Sequence, residues 1–166
     1  MTTDIIKRTT LFLLLILAQV IVLGRIHLFN CATPLLYVWF VILFPRNYPK
    51  WAILLWSFAM GLFIDIFSNT PGLAAASMTL VAVIQPYFFE LFVPRDSADN
   101  LEPSMAAIEP VKYTYYVSTL VLLYCVVFYS LEFFSFFNML QWLLCVVGST
   151  LVTLLLVFTF EIVRNK

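Results

Sequence analysis

The chain has 166 residues, of which 63% are hydrophobic and 11% charged, and its nine basic residues balance nine acidic ones. A soluble domain is about a quarter charged, and here the charges cluster, leaving uncharged runs at 9–24, 28–45, 51–64, 66–89, 113–131 and 133–160. A water-soluble globule is excluded, zero net charge gives no reason to expect a nucleic-acid partner, and the pattern implies an all-α, polytopic membrane protein forming a single integral-membrane domain over residues 1–166.

Six transmembrane spans are predicted. The first covers 9–23. It follows the basic pair Lys7-Arg8, and "GRIH" after it offers no small-residue cleavage site, so it reads as a retained helix rather than a cleaved signal. The second covers 28–44. Asn30, Thr33 and Pro34 interrupt it, which implies a tilted or broken span, or one packed inside the bundle, because non-helical backbone at membrane depth needs protein or a cavity around it. The third span covers 51–67. Ser57, Gly61 and Asp65 recur every fourth residue on one of its faces. The fourth covers 73–93 and carries Gln85-Pro86 near its middle; Pro86 frees the carbonyl of Ala82, which predicts a kink, with Gln85 either satisfying the freed groups or lining a cavity. A polar loop at 94–111 follows, with Pro94, Pro103 and Pro110 discouraging a long helix; it reads as a connector or as a docking surface for a cytoplasmic partner. The fifth span covers 112–131. The sixth covers 139–162, with a small-residue stripe at Cys145, Ser149 and Thr153.

With six spans the loops alternate sides. One side collects Lys7, Arg8, Arg46, Lys50, Arg95, Lys112, Arg164 and Lys166; the other has Arg25 alone. That bias places both termini and the 94–111 loop in the cytoplasm.

No catalytic residue stands out. The lone His27 falls in a loop, Cys31, Cys125 and Cys145 have no metal or disulfide spacing, and there is no glycine-rich phosphate loop, so no metal, cofactor or catalytic step is expected. Glu90, Glu132 and Glu161 lie near span ends, where a carboxylate reaches water, and Glu161 can pair with Arg164 three residues on.

Asp65, in "GLFIDIFSNTPG", differs from these in lying within an apolar span. An ionised aspartate in mid-bilayer costs about 2.5–3.5 kcal/mol, and at a helix C-terminus the helix dipole adds to that cost. It therefore requires donors. Thr70-Pro71 reads as the N-cap and first position of the fourth span, whose free N–H groups Asp65 can accept, while Gly72 and Ala74–Ala76 permit close backbone approach. Arg25 is a second possible donor. A structural hairpin role and a proton or ion site both remain open.

The stretch "GLFIDIFSNTPGLAAAS" resembles the glycine–aspartate–proline-glycine signature of the MreD family of bacterial rod shape-determining membrane proteins. The chain length, the basic amino-terminal tail, "FPRNYPKW" after the second span and "QPYFFELFVPRD" after the signature fit the same layout, over residues 5–96. The family's Gly and Asp map onto Gly61 and Asp65, and its Pro-Gly onto Pro71-Gly72. The resemblance implies a non-enzymatic scaffold of the cell-elongation machinery in the inner membrane. Such a scaffold binds MreC and works with MreB, with the RodA glycosyltransferase and with its penicillin-binding transpeptidase in lateral peptidoglycan synthesis. It also implies a fold similar to the six-helix substrate-binding components of energy-coupling-factor vitamin transporters. A small-molecule binding or transport subunit, with Gln19, Asp65, Gln85 and Pro86 bordering a pocket, is the alternative.

Overall fold

The computed structural model describes residues 2–21, 33–93, 101–105, 107–133 and 139–164, and over these it is all-helical. The helices are α1 (Thr2–Ile21), α2 (Val38–Ile42), α3 (Lys50–Ser68), α4 (Leu73–Phe92), α5 (Pro110–Glu132) and α6 (Met139–Arg164). The expectations for Arg25, His27, Cys31 and residues 94–100 lie outside the described residues.

Four helices, α3 to α6, are long and apolar enough to cross a membrane. Their outward faces carry large apolar side chains: Leu91, Leu140 and Leu155 are 70–76% exposed. In water this would be a standing aggregation surface; in a bilayer it is the lipid-facing side, and this is a helical membrane protein.

Two of the six expected spans take another form. The first helix begins at Thr2, seven residues earlier than expected, since no Pro or Gly stops it, and Thr9 and Thr10 donate to the carbonyls of Ile5 and Ile6 on the preceding turn. It therefore includes the charged Asp4, Lys7 and Arg8. The second span is not a membrane-length helix within the described residues. Pro34 lacks an N–H and disfavours helix in the residue before it. The chain passes through turns at 35–37 into α2, which is only five residues long.

This segment is the core of the bundle. Every residue from Pro34 to Ile42 is buried, and Val38, Val41, Ile42 and Phe44 have no exposed surface at all. The surrounding helices fix its direction. Gln19 of α1 meets Pro34, and Arg8 lies over the rings of Phe44 and Tyr48. Those two positions on α1 are about 16 Å apart along the axis, so the segment runs back antiparallel to α1. On α5, Tyr129, Tyr124 and Tyr116 meet Thr33, Tyr37 and Ile42 in turn. On α6, Ser149 meets Thr33 and Phe160 meets Trp39.

One end of the bundle gathers the cations. Arg8 sits at Phe44 and Tyr48, and Lys50 lies 4.3 Å from the Tyr87 ring centroid. Lys112 pairs with Glu109, and Arg164 pairs with Glu102. The Arg46 N–H donates to the carbonyl of Leu101, which ties the 101–109 stretch to this same end.

Candidate functional site

The α3–α4 turn is built around Asp65. α3 ends at Asn69, which takes a left-handed φ of 56° that asparagine tolerates better than most residues. The N–H groups of Asn69 and Thr70 both turn back to the Asp65 carbonyl. The side chain does more. Thr70 Oγ1 donates to Asp65 Oδ1 at 2.8 Å, the Ala74 N–H to the same oxygen at 2.9 Å, and the Ala75 N–H to Oδ2 at 2.9 Å. Both oxygens accept, as an ionised carboxylate does. Ala74 and Ala75 belong to the first turn of α4, where N–H groups have no acceptor within their own helix. Three hydrogen bonds to a carboxylate, about 1.5–3 kcal/mol each, supply the donors that an acid in an apolar hairpin requires.

Thr70 is not the N-cap. That position is Gly72, at φ 79°, and its side-chain-free backbone makes no cap of its own. The carboxylate arriving from α3 caps α4 instead, and Thr70 turns its hydroxyl to that carboxylate.

Gly61, one turn before Asp65, sets the helix separation. A Cβ there would fall 2.5 Å from Ala75 Cα, 2.6 Å from Ala75 N and 2.7 Å from the Ala74 carbonyl carbon. These are backbone atoms and cannot swing aside. Ser57, one turn earlier still, is fully buried, and its hydroxyl has no hydrogen-bond partner among the described residues. The structure thus brings Gly61, Asp65, Thr70, Pro71 and Gly72 together at one turn, with Ser57 on the same face. A groove of about 970 Å³ opens beside this turn between α3 and α4, walled by Phe58, Leu62, Ile66, Leu80 and Val83 and floored by Asp65 and Ala75.

Gln85 and Pro86 lie just past the middle of α4 and belong to a second constellation, the one that holds residues 33–44. α4 runs on through Pro86. The Gln85 amide does not serve the freed carbonyl of Ala82. It donates to the Phe44 carbonyl at 3.2 Å and to the Tyr116 hydroxyl at 3.0 Å, and Tyr116 in turn donates to the Ile42 carbonyl. At the far end of the segment, Gln19 donates to the Pro34 carbonyl at 2.8 Å. Ser149 and Thr153 accept from the N–H groups of Thr33 and Leu35. Tyr129 bonds to both Thr33 and Ser149, and Tyr37 bonds to Tyr124 midway. The small stripe on α6 therefore supplies acceptors, not merely room.

The role of this second group was not apparent from single residues. The signal was present as a combination: a broken span whose backbone lacks partners, and buried-face tyrosines on α5 whose hydroxyls need one. Glu161 also differs from expectation. It pairs with Arg164 at 3.6 Å, but it is wholly buried rather than in reach of water. Cys125 and Cys145 are both buried. Among the described residues no group of His, Cys, Asp and Glu is arranged to hold a metal ion.

Comparison of the chain with protein-family models, with curated proteins and with solved structures finds no match.

Proposed function

We propose that the chain is a non-enzymatic membrane scaffold of the bacterial elongation machinery, as its resemblance to the MreD family implies. One observation carries this reading: Asp65, the signature acid, has both oxygens engaged in joining α3 to α4. Gly61 serves the same joint. The signature thus works as a fastener, which suits a protein whose task is to hold a shape for others. The bundle interior is filled by residues 34–44 of the chain itself, which favours recognition on the outer helix faces over a central ligand. Those faces would receive the span of MreC and position it near RodA, its transpeptidase and MreB.

In this reading the chain passes the inner membrane six times, the first two passes being those expected over 9–23 and 28–44. The gathering of cations at one bundle end supports placing that end, and both termini, in the cytoplasm. Reporter fusions at residue 100 and at the C-terminus are expected to give cytoplasmic signals; a periplasmic signal at residue 100 breaks this topology. Photo-crosslinkers placed along α3, α4 and α6 of a functional protein are expected to yield adducts with MreC or a synthase. Their complete absence rules the scaffold out.

A further inference from the structure

The cationic end of the bundle is divided in two. On the α5–α6 side the charges are neutralised within the protein: Lys112 meets Glu109 at 2.9 Å, and Arg164 meets Glu102 at 3.5 Å and Glu161 at 3.6 Å. The α1–α3 side is arranged differently. Among the described residues Lys7, Arg8 and Lys50 form no ion pair. Glu90, on α4 one turn beyond Tyr87, is exposed and forms none either. Arg8 and Lys50 are nonetheless held in place. The Arg8 guanidinium lies 4.8 Å from the Phe44 ring centroid and 4.5 Å from that of Tyr48, and the Lys50 ammonium rests on Tyr87. A cation on an aromatic face keeps its hydrogen-bond donors free for a further acceptor.

The neighbours of these cations indicate where that acceptor lies. Trp51 is 70% exposed and Tyr87 59% exposed, and such amphipathic rings settle at the headgroup level of a bilayer. Below them, Leu13, Leu14 and Leu17 of α1 and Leu55 and Phe58 of α3 face outward into the apolar layer. Arg8 and Lys50, held on aromatic rings and without an ion pair among the described residues, therefore sit at the junction between the headgroups and the chains.

We propose that Lys7, Arg8 and Lys50 form a binding site for the phosphate of an anionic phospholipid, with the acyl chains lying along the outward faces of α1 and α3. The chemistry is phosphate recognition by unpaired cations, as in basic pockets at the cytoplasmic ends of other helix bundles. The site is independent of the scaffold reading and holds for any function of the bundle.

The test uses the full-length protein in a neutral detergent, given equal amounts of phosphatidylglycerol and phosphatidylcholine with identical acyl chains, and retained lipid is read by native mass spectrometry. Phosphatidylglycerol is expected to dominate. Each of Lys7→Gln, Arg8→Gln and Lys50→Gln is expected to lower its retention about five-fold, and the triple variant to bind the two lipids alike. Lys112→Gln, on the internally paired side, is expected to leave retention unchanged. Arg8→Lys, which keeps the charge, is expected to retain the lipid, and this separates charge from packing if Arg8→Gln lowers stability. Equal retention of both lipids by the unaltered protein, or full retention by the triple variant, overturns the proposal. Displacement of phosphatidylglycerol by excess inorganic phosphate alone also overturns the lipid assignment, because it makes the site one for a free anion.

Discussion

The α3–α4 hairpin and the 33–44 segment meet the same requirement in opposite ways. In lipid every backbone polar group needs an internal partner. The hairpin meets this locally: two regular helices satisfy themselves, and one acid satisfies the turn through residues five to ten positions away. The segment gives up regular helix and depends on α1, α4, α5 and α6, from side chains 15 to 118 positions distant. The hairpin can therefore form before the bundle closes. The segment cannot, since its partners exist only once the other helices are in place. Damage to the first should be concentrated at a few residues, and damage to the second spread over many.

The sharpest break is expected at Asp65. Asp65→Leu removes three acceptor bonds and leaves the Ala74 and Ala75 N–H groups unsatisfied, at about 2–6 kcal/mol in all; Asp65→Asn keeps one good acceptor and should cost about 1–2 kcal/mol. Unfolding curves in mixed micelles measure both. Equal, total loss of function in two well-folded variants would instead point to a proton or charge role. Next comes Gly61→Ala, expected to cost about 3 kcal/mol because two backbones must part, with Gly61→Val worse by the same assay. On the other side of the comparison, Gln85→Leu leaves the Phe44 carbonyl without its side-chain donor, at about 1–3 kcal/mol. The smallest effects, about 1 kcal/mol each, are expected for Tyr124→Phe and Thr153→Val. A single segment contact as costly as Asp65→Leu would erase the distinction drawn between the two regions.

The hairpin was largely legible in the sequence. An acid near the end of an apolar span, followed by Ser-Asn-Thr-Pro-Gly and a new apolar run, is a local pattern, and local patterns state their own geometry. Only the cap was misplaced, because a carboxylate from a different helix took over the part that Thr70 would play. The segment was legible as an interruption but not as a core. Thr33-Pro34 shows that regular helix fails there, yet nothing nearby names Gln19, Tyr116, Tyr129 or Ser149 as the partners. Those pairings come from the packing of distant helices, which a chain read residue by residue does not order. The extension of α1 to Thr2 was hidden for a simpler reason, since apolarity marks a membrane span while helix continues through charged residues that favour it.

Hydrogen exchange on the full-length protein in micelles tests the enclosure of this segment most directly. Peptides covering 35–44 are expected to be protected to the same degree as those covering 74–82 of α4, although α2 supplies only five helical residues. Exchange of 35–44 as fast as that of the 101–109 loop would contradict a buried core held by side chains from four helices.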